Sequence, residues 1–337
     1  MDVVHLTRRL IDIESITGNE RAAGEAVFAE LASLAGRYNG SAERMEVEPG
    51  RFNVYAHWGN PVVTLSTHID TVPPFFPSRE DEENVWGRGA CDAKGIIASM
   101  VCAVEECLAA GRRGIALLFV VGEERNSVGA YHAAQQPCGS KFLINGEPTE
   151  NKLAVGSKGA LRYEILARGR MAHSAYPELG ESAIEKLLDA LAAVRRVELP
   201  ADPILGKSTL NIGIIAGGRA PNVIPDEARA ELLIRLVDDG ESTREAIRQA
   251  VEGKAEAREV LCIPALHLGS LPGMETTVVA FTTDIPAFNG KWGQPYLAGP
   301  GTIHVAHTDR EHIAKRDLRG AITMYKIMIE QLIYAAN

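Results

Sequence analysis

Residues of metal-ligand type recur just after runs that read as strands. His68, in His68-Ile69-Asp70, follows VVTLST; Asp92 lies in GRGACDAKG, ahead of a helical stretch. Glu123-Glu124 follows ALLFVVG, Glu147 follows FLING, and His307 sits in GPGTIHVAHTDREH. In open α/β sheets ligands bind beyond the carboxyl ends of the strands, which is where these residues fall. No two form a helical pair of the HExxH kind, so a site requires the fold to bring them together. Imidazole and carboxylate donors suit zinc, and the set suits two-metal hydrolysis, in which bound metal lowers the pKa of water to about 7. Two ions need a bridging ligand, which a carboxylate can provide and a histidine cannot. A further carboxylate must stay off the metal as general base. Glu123 and Glu124 can divide binding and proton transfer between them. Asp70 can orient the His68 imidazole through its far nitrogen. Each residue alone also has an ordinary use: Asp92 as a helix N-cap, Glu147-Pro148 as a turn, Glu123-Glu124 as a solvated loop.

The elements that must position these residues alternate in type. Residues 2–13 and 20–35 carry helical periodicity, with Asn19 expected as N-cap of the second helix and Gly36 as its end. Strands are expected at 44–47, 53–58, 62–67, 114–121 and 141–145, and helices at 93–110 and 128–136. This alternation predicts an α/β fold with a mixed sheet flanked by helices. After about residue 156 the order becomes βαββαβ, with strands at 160–168, 209–216, 228–237 and 257–263 and helices at 181–195 and 242–253, the split ferredoxin-like α+β pattern. The first style then returns, with a strand at 294–299 and a long helix at 317–335. Residues 1–155 and 264–337 are therefore expected to form one discontinuous domain, and 156–263 an inserted one.

Composition limits the alternatives. The chain has 337 residues, a formal charge of −9 and 46% apolar residues, enough for a sizeable core. An acidic balance argues against nucleic acid and against anionic membrane surfaces. No apolar run is long enough for a membrane span. Five scattered cysteines without a CxxC pair, and a start interrupted by charge, lead to the expectation of a reduced, cytoplasmic protein.

Seven segments carry a family resemblance: Thr67–Pro73 (THIDTVP), Gly87–Gly95 (GRGACDAKG), Glu123-Glu124, Gly146–Thr149 (GEPT), Gly169–Gly180 (GRMAHSAYPELG), Gly217–Asp226 (GGRAPNVIPD) and Gly299–Glu311 (GPGTIHVAHTDRE). In this order they resemble the dinuclear zinc amidohydrolases and exopeptidases grouped with acetylornithine deacetylase, succinyl-diaminopimelate desuccinylase, aminoacylase and glutamate carboxypeptidase. The resemblance implies that His68 and Glu147 hold one zinc, that Glu124 and His307 hold the other, and that Asp92 bridges them, with Co2+ or Mn2+ as possible substitutes. It implies a cis peptide bond after Asp92 and a general-base role for Glu123. His304 falls where other residue types occur in the family, so His307 is the expected ligand.

The resemblance further implies that the insert is a lid and dimerisation domain of a homodimer. His173 would then reach the partner subunit's centre and stabilise the oxyanion, while Asn222 and Arg235 bind substrate. Glutamate rather than aspartate at position 147 leans, within the family, toward hydrolysis of an N-acyl amino acid. A carboxypeptidase or dipeptidase acting on short peptides is the alternative, and a non-catalytic binding relative is a remote one.

Overall fold

A computed structural model describes residues 1–336, which divide into two compact units. The first comprises Met1–Val155, Leu268–Thr277 and Thr283–Asn337; the second comprises Gly156–His267 and Val278–Thr282. The chain returns to the first unit at Leu268 rather than at 264. The short segment Val278–Thr282 groups with the second unit because Lys158 N–H donates to Val279 O at 3.0 Å and Ser157 Oγ donates to Phe281 O at 2.6 Å.

A mixed sheet forms the frame of the first unit. Its strands run, in spatial order, Ser41–Glu48, Arg51–Trp58, Ile115–Val120, Val63–His68, Phe142–Asn145, Gln294–Leu297 and Leu153–Ser157. Val63–His68, Ile115–Val120, Phe142–Asn145 and Gln294–Leu297 are mutually parallel, and the flanking strands are antiparallel. Every residue of Val63–His68 and Ile115–Val120 is buried. That is the expected condition of a parallel strand covered on both faces.

Successive side chains of a strand point to opposite faces. Ile115, Leu117 and Phe119 accordingly enter one core, with helices Val3–Ile11, Lys94–Ala109 and Lys315–Ala336. Ala116, Leu118 and Val120 enter a smaller core, with Ala130, Phe288 and Trp292. No helix among the described residues is long and apolar enough to cross a membrane.

The helix expected at 20–35 runs from Arg21 to Tyr38. Asn19 does not cap it, since the helix begins one residue later; its Nδ2 instead donates to Glu14 Oε1 at 3.1 Å. Glu20 takes the N-cap position without capping through its side chain, which instead pairs with Arg51 at 2.6 and 2.8 Å. Gly36 does not end the helix; Asn39 does, in the left-handed conformation at φ 53°. Asparagine tolerates this region better than most residues.

The second unit carries a four-stranded antiparallel sheet in the order Thr209–Gly217, Glu227–Leu236, Gly159–Arg168, Glu256–Ile263. Helices Ala183–Val194 and Glu241–Val251 complete the βαββαβ connection, and their apolar sides close a core with Leu161, Tyr163, Ile165, Ala230, Leu232 and Ile234.

Candidate metal centre

The parallel strands of the first unit end at a common edge. His68 terminates its strand in register with Val120, and Ser66 pairs with Asn145, which in turn pairs with Leu297. The chain leaving each strand end carries a polar group: Asp70 after His68, Gly122–Glu124 after Val120, Glu147 after Asn145, and Gly299 onward to His307 after Leu297. The loop Gly87–Ala93 delivers Asp92 to the N-terminal side of helix Lys94–Ala109, across a cis Asp92–Ala93 peptide bond.

These groups meet. His68 Nε2 lies 3.0 Å from Asp92 Oδ1, and His307 Nε2 lies 3.4 Å from Asp92 Oδ2 and 3.0 Å from Glu124 Oε2. One ligand atom from each of His68, Asp92 and Glu124 falls within 4.8 Å of the others. His68, Asp92 and Glu147 are buried, whereas the His307 side chain is 48% exposed. His307 occupies the left-handed region at φ 63°, uncommon for a residue with a Cβ and held here by the turn that aims its ring. His304 is exposed and makes no side-chain contact of this kind.

Asp70 has a different use from the one its spacing suggests. Its backbone carbonyl, at 2.9 Å, is the partner of His68 Nδ1, while its carboxylate lies 3.6 Å away. That carboxylate instead accepts the N–H groups of Gly122, Glu123 and Glu124 at 3.0, 3.1 and 3.2 Å, and the Thr17 hydroxyl at 2.8 Å. Asp70 therefore fixes the loop on which both glutamates stand. Sequence reasoning misses Thr17, which lies far upstream in a stretch read only as a helix approach.

The electrostatics follow from burial and mutual proximity. Burial alone raises the Asp92 carboxyl, but hydrogen bonds with His307 and His68 outweigh it and hold the group below the usual carboxylate range. Hydrogen bonds to Asp92 and Glu124 push His307 up to about 10. Glu123 and Glu147 move the other way: burial raises both carboxyls well above normal, and neighbouring negative charges raise them further. Glu147 Oε1 is buried without a hydrogen-bond partner among the described residues. Buried polar atoms are ordinarily paired, and buried carboxylates crowded together require positive charge. Two imidazoles, the Asp92 and Glu124 carboxylates they touch and the orphaned buried oxygen of Glu147 fit a divalent metal.

A further buried carboxylate, Asp284, is 1% exposed and has no hydrogen-bond partner for either oxygen among the described residues. No pattern in TTDIPAF distinguishes it from an ordinary turn aspartate.

The remaining expected residues belong to the second unit. His173 is exposed on the short strand Ala172–His173, paired with Val223–Ile224, and its Nδ1 accepts from Ala175 N–H at 3.1 Å. Asn222 is exposed beside it, its carbonyl accepting from Ser174 N–H at 3.0 Å. Arg235 lies on strand Glu227–Leu236 opposite Thr209 and Ala160, half-buried, away from that ribbon in sequence.

Comparison with known proteins places this arrangement. The Peptidase dimerisation domain profile matches residues 155–260, and that of Peptidase family M28 matches residues 53–205. A Peptidase M20 domain-containing protein of Schizosaccharomyces pombe is 37% identical over 338 residues, covering 97% of this chain and 84% of that protein. A probable carboxypeptidase of Aspergillus niger is 37% identical over 376 residues, covering 98% and 89%. Among solved structures, aminopeptidase PepT from Bacillus cereus shares the fold at a TM-score of 0.82 and 19% identity, with 98% of each chain covered. An M20 family metallo-carboxypeptidase from Sulfolobus solfataricus does so at 0.78 and 15%, covering 98% of this chain and 99% of that one. The chain belongs to the M20 peptidase family and is a metal-dependent hydrolase of amide or peptide bonds.

Proposed function

We propose that this hydrolase cleaves the amide bond on the amino side of a residue with a free carboxylate, and that its substrate is an N-acyl amino acid. The observation that carries the hydrolytic mechanism is the convergence of His68, Asp92, Glu124 and His307 within contact distance, with the other glutamate of the pair, Glu123, left over as base. In this reading His68 and Glu147 would hold one zinc ion, Glu124 and His307 would hold the other, and Asp92 would serve both. Bound there, the two ions supply Lewis acidity toward water and the scissile carbonyl. Glu123, its carboxyl raised by burial, takes a proton from the attacking water and returns it to the leaving nitrogen. Asp70 keeps Glu123 and Glu124 in place through their backbone N–H groups.

His173, Asn222 and Arg235 complete the proposal. The imidazole of His173, acting on the centre of a partner chain in a homodimer, donates to the oxyanion, which carries charge only near the transition state. Asn222 assists it. Arg235 takes the substrate carboxylate, which its planar fork matches. The match of residues 155–260 to a dimerisation domain supports the dimer.

Release of a C-terminal residue from a short peptide is the second reading, favoured by the curated relatives named probable carboxypeptidases. Hydrolysis of a panel of N-acyl amino acids and N-blocked dipeptides, with and without chelator, tests both. Preference for acyl amino acids supports the first reading and preference for peptides the second. Full activity after thorough metal stripping rejects the mechanism common to both.

A further inference from the structure

The loop that presents Asp92 rests on a carboxylate from a distant part of the chain. Glu311 is 3% exposed, and its Oε1 receives the backbone N–H groups of Gly89, Cys91 and Asp92 at 2.9, 3.2 and 3.2 Å. Its Oε2 receives Arg88 Nη1 at 2.5 Å, and Arg88 is itself 2% exposed. Successive backbone N–H groups converging on one oxygen form an anion-binding nest, and the anion here is built into the protein. Gly89 makes the loop possible: its φ is +87°, and a Cβ there would meet Lys94 Cδ at 2.9 Å.

Two further contacts join the same stretches of chain. Gly87 N–H donates to Glu311 O at 3.1 Å, and Cys91 Sγ donates to Thr302 O at 3.2 Å. Strand Asn84–Trp86 pairs with His312–Ala314, so the Asp92 loop begins where Glu311 ends. With its backbone N–H occupied by Glu311, Asp92 turns one carboxylate oxygen toward His68 and the other toward His307. His307 lies four residues before Glu311. One segment thus supplies a candidate ligand and the support of the candidate bridge.

We propose that Glu311 is a positioning residue for Asp92, and that through the Gly89–Asp92 nest it sets the affinity of the centre for the second of two metal ions. The inference rests on the reading of Asp92 as bridging ligand. The rival explanation is that Glu311 only neutralises Arg88 to let the region fold.

The test is calorimetric titration of the metal-stripped full-length chain with zinc, repeated with Co2+ to record the visible spectrum. Glu311→Gln is expected to keep the first ion within a few-fold and to weaken the second by about 10–100-fold, the usual cost of removing a partner behind a metal ligand, with an altered Co2+ spectrum. Arg88→Gln is expected to lower the melting temperature of the metal-free chain while leaving both affinities within about threefold, because the nest keeps its anion. If Glu311→Gln does not fold, Glu311→Gln/Arg88→Gln, which buries neither charge alone, gives the same comparison.

Two ions bound by the wild type and by a folded Glu311 variant with equal affinity would overturn the proposal. So would loss of the second ion in Arg88→Gln to the same degree as in Glu311→Gln. A wild type that binds a single ion defeats the bridging reading itself, and the inference with it.

Discussion

In the first unit His68, Asp70, Asp92 and Glu147 are between 0 and 6% exposed, three of them at or just past the ends of parallel strands and Asp92 on the loop that leads into helix Lys94–Ala109. In the second unit His173 and Asn222 are exposed, carried on a two-residue ribbon. The first arrangement over-determines each side chain. Asp70 alone is tied by four donors, and Asp92 is approached by two imidazoles and a backbone anchor. The second leaves its histidine ring, among the described residues, a single hydrogen bond, from Ala175. Groups held by burial cannot be changed without cost to the fold, whereas an exposed group is free to be lost with little effect on stability. Changes at His68, Asp70, Asp92 or Glu147 are therefore expected to move stability and metal binding together with rate, and changes at His173 to move rate alone.

The sharpest probe of this contrast is Glu123→Gln. It keeps the size of the side chain and removes the proton acceptor, so turnover should fall by about three orders of magnitude or more while two equivalents of metal remain by elemental analysis. Near-normal turnover would remove Glu123 from the base role.

His173→Ala should cost about 10²–10³ in kcat, as loss of one oxyanion donor does, with an unchanged melting temperature. A large drop in melting temperature would show that the exposed ribbon is structural after all. Light scattering belongs with this experiment, since a monomeric wild type would rule out action on a partner chain.

Asp70→Asn should lower the free energy of unfolding by about 2–3 kcal/mol, the scale of hydrogen bonds to a buried charged acceptor. Denaturant titration measures it. A change below about 0.5 kcal/mol would mean that the Gly122–Glu124 loop holds itself.

The smallest expected effect is at Asp284. Burial raises its carboxyl to about 7 from an unfolded value near 4. Between those values the folded state binds the extra proton, so this group's contribution to stability falls as pH rises from about 4 to 7. In metal-free protein Asp284→Asn should therefore melt higher than wild type near pH 8, with the difference vanishing near pH 4. An equal difference at both pH values would show that folding does not shift the titration of this carboxyl.

The candidate ligands other than Asp92 are legible in the sequence because the fold's rule is local: they come after apolar runs, and parallel strands share the edge at which they end. The βαββαβ order of the insert is legible for a similar reason, since alternation of side-chain type follows alternation of faces. What is not legible depends on contacts between segments far apart. Glu311 reads as one charge in HTDREH, and only the pairing of Asn84–Trp86 with His312–Ala314 places it under the Asp92 loop. Asp70 reads as a partner of His68, yet its carboxylate goes to N–H groups more than fifty residues on. Asn19 reads as a cap, yet the N-cap position falls on Glu20, whose carboxylate pairs with Arg51 thirty-one residues downstream.

The strand Gln294–Leu297, parallel to Phe142–Asn145 and beside Leu153–Ser157, carries a consequence for how the molecule comes to be. A chain made from its N-terminal end has the five strands between Ser41 and Asn145 about 150 residues before Gln294–Leu297 arrives to pair with Phe142–Asn145. During that interval Phe142–Asn145 presents an unpaired edge with buried-type residues, the kind of surface that invites pairing with another chain. The strands of the ferredoxin-like sheet all lie within Gly159–Ile263 and can pair meanwhile. The first unit, which carries the candidate metal centre, is thus the last to close, and protection against aggregation matters most for it during synthesis.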